Sequence, residues 1–390
     1  MQINKILICV KNPFCDRDYE RMGLAKLKLS FKVIVLDCSP WLFPKSYKLR
    51  VVKISQKNKV RRIKIISLLQ AKKILKQMKR CVAFDFVGPF SFSAILFFNL
   101  LKKYKIPIVV FDSGAHPIHF EKGKNLQLYK KDWSFFLKTK EILKKCLRFI
   151  VLKILPDQNP DLAMVSGSIW KKNPRFLNAK NRFKGHSFDY ELSLNELKKT
   201  RLVKKPYMVY LDEKITNHED NFELGACHPA SKGKLLPQLL TIFTQIEKKF
   251  KSDIVIAGYP STNKNKIKRI FRNRKVYINK TANLVKFSKL VLCHGSTAIS
   301  YAAIFKKPVL FLTNNEILQS WYQPTIDVLR KSLDSLIFNL DKKESINRVK
   351  LKINRNAYKS FVKTFVTSNP CSKESIWMKT KKAIEKYIEV

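Results

Sequence analysis

The sequence contains little glycine and few acidic residues. Only 10 of its 390 residues are glycine, and 29 aspartates and glutamates face 78 lysines and arginines, which gives a formal net charge of +49. A charge of this size attracts polyanions such as nucleic acid, anionic lipid or phosphorylated substrates. Lysine, asparagine, isoleucine and phenylalanine are abundant throughout, so an AT-rich genome is an equally good explanation of the total. A hydrophobic content of 45% excludes global disorder.

The sequence also lacks the usual marks of a disulfide framework, a zinc site or a membrane span. The eight cysteines are scattered without a CxxC pair, a pattern typical of a reducing compartment. The N-terminal segment has only five consecutive apolar residues, too few for a signal peptide. The longest apolar region, residues 81–101, is interrupted by Asp85, Gly88 and Pro89, which argues against a membrane span. We therefore expect a cytoplasmic protein.

Ten short apolar runs predict the strands of two parallel sheets. They alternate with longer amphipathic segments, and this repetition is typical of doubly wound α/β domains. Their near-continuous apolar character suits strands that are covered on both faces. From about Ser332 onward we predict helices and no strand. The runs begin at residues 5, 31, 81, 106 and 162 in a first series, and at 207, 253, 275, 290 and 308 in a second.

The length of the chain and the two series of runs predict two domains, because 390 residues normally exceed what one hydrophobic core serves. We expect a first Rossmann-like domain over residues 1–195 and a second over residues 206–335. A C-terminal helical segment, residues 336–390, is expected to pack back across the domains. Half of the glycines fall at or just after predicted strand ends, where tight turns and close ligand approach require a missing Cβ.

Residues 294–297, with the sequence HGST, follow one of these strands and precede a helix-like run. His294 is expected at the carboxyl end of the strand, with Gly295 allowing a sharp turn and close approach of a phosphate. Ser296 is a favoured N-cap residue, so a helix is predicted to start there and to run through residue 305. The helix N-terminus and the hydroxyls of Ser296 and Thr297 would then bind phosphate. Alternatively, the serine only caps the helix and the histidine fills a turn.

Four segments resemble those of bacterial surface-carbohydrate biosynthesis proteins with the GT-B glycosyltransferase fold. They read NPFCDRDYERMG, KGHSFDYE, YMVYLDE and HGSTAISYAAIFKKPVLFLT, and the last is the most specific. The resemblance covers most of the chain. It implies two Rossmann-like domains that face a cleft, C-terminal helices, a nucleotide-sugar donor held mainly by the second domain, and a glycan or lipid-linked acceptor on the first.

The resemblance implies that the donor is contacted from two strand ends, by His294, Gly295, Ser296, Thr297, Asp212 and Glu213. This sequence departs from the family pattern after the strand DIVIAG. Many such enzymes have a His-Pro pair there, whereas this chain has Tyr259 followed by proline. Tyrosine can stack or donate a hydrogen bond to the donor, but it cannot carry a positive charge beside a phosphate. His228, also followed by proline, is an alternative in a predicted loop.

A sugar transfer requires a group that deprotonates the acceptor hydroxyl or stabilises an oxocarbenium-like transition state. Asp18, in the family-like N-terminal segment, is our first candidate, and Asp112 and His116 follow another predicted strand. For each carboxylate, simple pairing with a helix N-terminus is the alternative. DRD, residues 16–18, matches the DxD metal motif of a different glycosyltransferase fold. Helix N–H groups and cations could offset the leaving-group charge, so we expect no essential metal and no cofactor besides the donor.

Our leading interpretation is a metal-independent glycosyltransferase that builds a capsule, O-antigen or similar lipopolysaccharide glycan at the cytoplasmic face of the inner membrane. Residues 45–80 and 141–156 combine cations with apolar side chains at helical spacing. This suits an anionic lipid surface, but also an ordinary helix packed on a sheet. The alternatives are a CDP-polyol phosphotransferase of teichoic-acid type, a nucleotide-sugar 2-epimerase, an inactive scaffold and a nucleic-acid-binding protein. We expect no specific nucleic-acid partner, because no zinc-finger, RNP-type or helix-turn-helix pattern is found.

Overall fold

The protein forms two compact units. The first comprises residues 1–113, 133–188 and 371–390, and the second comprises residues 114–132 and 189–370. The expected boundary at 195 therefore lies later than the observed division, and the predicted C-terminal segment divides at residue 370. The computed structural model describes residues 2–50, 55, 59–88, 91–114, 117, 139, 142–143, 146, 159–224, 226–342, 344–370 and 372–388.

The first unit is built on a seven-stranded sheet. Its strands are β1 (Lys5–Val10), β2 (Lys32–Asp37), β3 (Arg61–Lys64), β4 (Cys81–Asp85), β5 (Ile108–Phe111), β6 (Leu162–Val165) and β7 (Asn181–Lys184). All neighbouring pairs are parallel, in the order β3-β2-β1-β4-β5-β6-β7. The described helices before β7 are α1 (Asp16–Arg21), α2 (Leu24–Leu27), α3 (Ser39–Leu42), α4 (Pro44–Leu49), α5 (Leu68–Lys76), α6 (Phe92–Lys103), a 3-10 turn (Ile169–Lys172) and α7 (Pro174–Leu177).

The second unit has a six-stranded parallel sheet. Its strands are β8 (Tyr207–Leu211), β9 (Asp253–Gly258), β10 (Val276–Ile278), β11 (Val291–Cys293), β12 (Val309–Thr313) and β13 (Leu336–Asn339), in the order β10-β9-β8-β11-β12-β13. The predicted class, two doubly wound α/β domains, is confirmed. The described helices are α8 (Phe188–Glu196), α9 (Glu219–Leu224), α10 (Lys232–Phe250), α11 (Lys264–Ile270), α12 (Thr281–Phe287), α13 (Ile299–Ile304), α14 (Asn315–Gln319), α15 (Gln323–Leu333), a 3-10 turn (Ile346–Arg348), α16 (Arg355–Phe361) and a π turn (Val362–Val366).

All ten predicted strands form, and three further strands were missed. The missed strands β3, β7 and β13 all lie at sheet edges. β3 and β7 carry exposed or half-buried cations at several positions, so they lack the continuous apolar run of a central strand. The prediction that no strand follows Ser332 is wrong, because β13 pairs in parallel with β12. An edge strand is hydrogen-bonded to a neighbour along one edge only. Its side chains are therefore less continuously apolar, which makes the strand harder to predict from the sequence.

The C-terminal helix α17 (Ile376–Tyr387) belongs to the first unit and packs there through Trp377. The indole is 1% exposed, with its ring centroid 5.6 Å from that of Phe111 and 5.2 Å from that of Phe188. Gly23 lies against it with φ +59, and a Cβ added there would be 2.1 Å from the indole. This contact lies at the junction between α1 and α2, where Gly23 is the N-cap residue of α2.

Four free thiols are part of the two hydrophobic cores. Cys9, Cys38 and Cys81 lie in one apolar cluster of the first unit, and Cys293 lies in the core of the second. Burial raises the pKa of each thiol above its ordinary value, to about 11 for Cys81. These cysteines therefore pack as small hydrophobic side chains, as expected from their apolar surroundings in the sequence.

Candidate functional site

The carboxyl ends of β8 and β11 lie side by side in the middle of the second sheet. From β8 the chain adds β9 and β10 on one side of the sheet, and then β11, β12 and β13 on the other. In parallel sheets, ligands bind beyond the carboxyl ends of the strands at such a switch point. The loop after β8 carries Asp212, Glu213 and Lys214, and the loop after β11 carries His294 and Gly295. The sequence therefore places polar side chains where this topology favours a ligand.

The carboxylate of Glu213 joins these two loops. Oε1 accepts the backbone N–H of His294 at 2.8 Å, and Oε2 accepts the N–H of Gly295 at 2.9 Å. The Tyr322 hydroxyl donates to Oε2 at 2.5 Å. Burial raises the pKa of Glu213 to about 7, although these three hydrogen bonds act to lower it. The two amides that the sequence predicted for a donor phosphate thus already have a carboxyl group of the chain itself as their acceptor.

The His294 side chain points into the core. Its residue exposure is 0%, its Nδ1 lies 2.8 Å from the Leu312 carbonyl oxygen, and its Nε2 lies 3.1 Å from the Tyr210 hydroxyl. A carbonyl can only accept, so Nδ1 carries the proton and Nε2 accepts from the tyrosine. Burial lowers the pKa of His294 to about 4, which keeps the ring neutral. Both ring nitrogens therefore have protein partners, and a contact between this imidazole and a donor stays a prediction.

Gly295 makes room for Tyr322 in this structure. A Cβ at position 295 would lie 2.8 Å from the Tyr322 hydroxyl oxygen and 2.9 Å from its Cζ, with Thr325 Cγ2 at 3.1 Å. Close packing by a tyrosine thus explains the missing side chain, whereas the sequence suggested that the glycine admits a phosphate.

The helix after HGST is shorter than predicted. It is α13, which begins at Ile299 with Ala298 as its N-cap residue and has no side-chain cap. The prediction of Ser296 as the N-cap is wrong, because its Oγ accepts the Ala298 N–H at 3.3 Å in the turn before the helix. Ser296 is half-buried and Thr297 is exposed. Within the HGST segment, it is these two hydroxyls that remain accessible to a ligand.

A second polar group lies at the ends of β8 and β9, and we call it the Lys214 cluster: Lys214, His218, Glu219, Tyr259 and Ser261. Glu219 is buried, pairs with the Lys214 ammonium group and accepts the Ser261 hydroxyl at 2.8 Å. Burial acts to raise the pKa of Glu219, but these contacts outweigh it and the pKa is lowered. The Tyr259 hydroxyl lies 3.0 Å from His218 Nε2. Tyr259 therefore has a histidine beside it even though the chain lacks the expected His-Pro pair.

Three buried side-chain oxygens in these loops have no hydrogen-bond partner among the described residues: Asp212 Oδ2, Glu219 Oε2 and Thr262 Oγ1. The other Asp212 oxygen accepts the Lys214 N–H at 3.2 Å. Burial raises the pKa of Asp212, although the backbone N–H groups of Lys214 and Tyr259 act to lower it. A buried polar group without a partner costs about 1–3 kcal/mol. A ligand with hydroxyl or amide donors would satisfy these oxygens, so they point to a binding site on the β8–β9 side of the switch point.

His228, the suggested alternative to Tyr259, lies in a loop as predicted. Its Nδ1 lies 3.0 Å from Asn221 Nδ2, and its ring packs edge-on against Phe222. Burial lowers the pKa of this histidine, which favours the neutral imidazole. A neutral imidazole supplies no positive charge to a phosphate.

In the first unit, both described catalytic candidates have protein partners. Asp18 is the third residue of α1, and its carboxylate accepts the Cys15 N–H at 3.1 Å and pairs with Arg17 at 3.1 Å. This arrangement matches the helix N-terminus alternative. Asp112 is buried and accepts the N–H and hydroxyl of Ser166 at 3.2 and 2.9 Å. His116 lies outside the described residues. The catalytic roles of all three stay predictions.

The two acids of the DRD segment have separate partners. Asp16 accepts the backbone N–H of Ser55 at 3.0 Å and its hydroxyl at 3.1 Å, whereas Asp18 pairs within α1. In the described part of the chain, no group of three or more His, Cys, Asp or Glu side chains is placed to hold a metal ion. A metal-independent reaction stays a prediction.

Sequence reasoning missed Lys214, His218, Ser261 and Tyr322. Lys214 follows directly after the quoted YLDE run, so its position next to a strand end was a readable signal. Tyr322 reaches Glu213 from the residue before α15, and no local pattern links positions so far apart in the sequence.

Neither a protein-family model nor a curated protein matches the sequence. Solved structures that resemble the protein over its whole length include two with TM-scores above 0.5. The calicheamicin glycosyltransferase CalG4 is 12% identical with a TM-score of 0.55, and the match covers 100% of this chain and 99% of that one. A UDP-N-acetylglucosamine 2-epimerase is 11% identical with a TM-score of 0.51, covering 100% and 98%. At such low identity the similarity concerns architecture, and the protein has the two-domain Rossmann-like fold called GT-B.

Proposed function

We propose that the protein is a glycosyltransferase that moves a sugar from a nucleotide-sugar to a growing surface glycan, such as a capsule, an O-antigen or a lipid-linked acceptor. The observation that carries the proposal is the set of three unpartnered buried oxygens, Asp212 Oδ2, Glu219 Oε2 and Thr262 Oγ1, beside the switch point of the second sheet. Carboxylate oxygens accept hydrogen bonds from hydroxyls, and both a ribose and a sugar are rich in hydroxyls. The fold it shares with CalG4, a glycosyltransferase, supports the reaction type.

In this proposal the donor binds on the β8–β9 side of the switch point. Asp212 and Glu219 accept donor hydroxyls, and Lys214 offsets the charge of the diphosphate. Tyr259 packs on the donor while His218 fixes its hydroxyl. The β11 amides stay with Glu213, so His294 and Gly295 act by holding this carboxylate, and Ser296 and Thr297 add hydroxyl contacts. Activation of the acceptor by Asp18 or Asp112 of the first unit, or by His116, is part of the same proposal.

Incubation with UDP-, GDP-, CMP- and CDP-linked donors, with nucleotide release as the readout, tests the proposal. We expect release from one donor class by the wild type. Glu219→Gln and Asp212→Asn should slow it by about tenfold or more, because each removes one hydrogen-bonding carboxylate. Asp253→Asn is the matched control, since Asp253 is an exposed acid at the first residue of β9, the opposite end of the strand. Equal effects of all three substitutions, or no release from any donor, would refute the assignment.

A nucleotide-sugar 2-epimerase is a second candidate, favoured by the fold match to a UDP-N-acetylglucosamine 2-epimerase. Proton NMR of UDP-N-acetylglucosamine incubated without an acceptor separates the two reactions. An epimerised sugar with the nucleotide still attached identifies an epimerase. Release of CMP from a CDP-polyol would instead identify the phosphotransferase of teichoic-acid type, because that reaction breaks the bond between the two phosphates.

We also propose that the first unit contacts an anionic membrane surface through β3 and α5. Ile66 and Leu69 are 65% and 77% exposed, and exposed lysines at 72, 73 and 76 lie on the same short stretch. The sequence has no acidic residue between Asp37 and Asp85. Exposed apolar side chains among cations suit the interface of an anionic bilayer. Within the described ranges, no helix has the length and apolar character needed to cross a bilayer. Residues 141–156 lie largely outside those ranges.

Sedimentation with vesicles tests this surface. We expect binding to phosphatidylcholine vesicles that contain phosphatidylglycerol, and little binding without it. Ile66→Ser with Leu69→Ser should weaken binding, whereas Leu177→Ser, a control at another exposed apolar residue of the first unit, should not. Equal binding by both variants and the wild type would contradict the proposed face.

A further inference from the structure

A concave pocket lies at the other end of the second sheet, where β8, β11 and β12 begin. Its volume is about 560 Å³, within the range of small-molecule sites. Four cations line it: Arg201, Lys289, Lys306 and Lys307. The candidate donor site lies at the carboxyl ends of the same strands, so this pocket is a separate feature of the second unit.

In the part of the chain that the structure describes, the cations of the pocket have no acidic partner. No acidic residue lines it, and among the described residues Lys306 and Lys307 have no ion pair or hydrogen bond through their ammonium groups. Lys289 donates only to the neutral Ser252 hydroxyl, at 3.0 Å. Burial lowers the pKa of Lys307, because its ammonium group loses hydration without gaining a carboxylate. A bound anion would supply the missing partner.

The pocket is also apolar on one side. Phe250 and Phe287 line it, and both rings are only partly buried against the core. Partly exposed rings next to cations suit a ligand in which a planar ring is joined to phosphates, because aromatic stacking and ion pairing then act together.

We propose that this pocket binds a nucleoside polyphosphate, with the phosphates on Lys306, Lys307 and Lys289 and the base against Phe250 and Phe287. The inference is independent of the proposed glycosyltransferase activity. If the proposed donor site is also occupied, the second unit binds nucleotides at both ends of its parallel strands.

Isothermal titration calorimetry with ATP and with inorganic tripolyphosphate tests the pocket. We expect Lys306→Gln with Lys307→Gln to weaken ATP binding by about tenfold or more, since two charged contacts are lost. The matched control is Lys266→Gln with Lys268→Gln, two exposed lysines on α11 outside the pocket. Phe287→Leu should weaken binding of ATP but not of tripolyphosphate. Equal losses in the two lysine variants would overturn the proposal, because the net charge of the whole chain would then account for binding.

Lysine acetylation read by mass spectrometry locates the ligand. ATP should protect Lys289, Lys306 and Lys307 and leave Lys266 reactive. Tighter binding of dihexanoyl phosphatidate than of ATP, with the same variant dependence, would overturn the nucleotide assignment in favour of a lipid phosphate. Nucleotide release from the donor sugar should be unchanged in the Lys306→Gln, Lys307→Gln variant, so a failure here is distinguishable from a failure of the proposed function.

Discussion

Replacing Gly295 with alanine tests why position 295, in the loop after β11, carries no side chain. The backbone of Gly295 is not in the left-handed region, so an alanine there meets no conformational penalty. The cost comes from packing, because the new Cβ would lie 2.8 Å from the Tyr322 hydroxyl oxygen and 2.9 Å from Cζ. Tyr322 must move, and its hydrogen bond to Glu213 is then lost.

The size of the effect follows from these two contacts. Overpacking a well-filled site costs about 1–3 kcal/mol, and a hydrogen bond to a charged acceptor contributes about 1.5–3 kcal/mol. The two terms are coupled, so we expect a total loss of about 3 kcal/mol in the second unit. For a unit of this size the melting temperature falls by about 2–4 °C per kcal/mol. Calorimetry without nucleotide should therefore show a decrease of about 6–12 °C.

Tyr322→Phe completes the experiment, because it removes the hydroxyl that lies closest to the added Cβ. It should destabilise the wild type by the loss of the Glu213 hydrogen bond, but cost less in the Gly295→Ala background, where that bond is already broken. Unchanged melting of Gly295→Ala without ligand, together with weaker nucleotide-sugar binding, would refute this reasoning. The glycine would then serve ligand phosphates, as the sequence suggested.

Three further predictions concern buried charge and packing. The pKa of Glu213 is about 7 in the folded protein against 4.5 for an exposed glutamate, a difference of about 2.5 pH units or about 3 kcal/mol. The folded state then binds the extra proton, so stability should fall as the pH rises from about 4.5 to 7, and urea titrations should show no such loss for Glu213→Gln. Trp377→Ala should cost about 3–5 kcal/mol in the first unit only, measured by hydrogen exchange of β5 and β6 peptides. Arg175→Ala should cost about 3 kcal/mol, because it leaves the buried Asp85 carboxylate without its ion pair, and urea unfolding measures this loss. If the double variant Asp85→Asn, Arg175→Ala is no more stable than Arg175→Ala alone, the buried charge is not the cause.

The sequence predicted the central strands because they are buried on both faces and therefore continuously apolar. It failed at β3, β7 and β13, which lie at the edges of the described sheets and mix apolar with polar side chains. The break between α1 and α2 at Gly23 could not be predicted either, because it depends on packing against Trp377, which lies more than 350 positions away in the sequence. Long-range contacts of this kind leave no local signature.

The candidate site shows the same limit. The sequence correctly located polar residues at two strand ends, but it could not tell in which direction each side chain points. His294 turns inward because Tyr210 and Leu312 of the neighbouring strands offer it hydrogen bonds. Glu213 was predicted to contact a donor, whereas it accepts the amides that the donor was expected to use.

The buried thiols allow the opening of each unit to be timed within one molecule. A thiol reacts as the thiolate and only in contact with the reagent, so Cys9, Cys38 and Cys81 should be modified only when the first unit opens, and Cys293 only when the second does. Cys227 is exposed and supplies the unhindered rate. Labelling kinetics resolved by peptide would therefore show whether the two units open together or separately, through cysteines that the chain already contains.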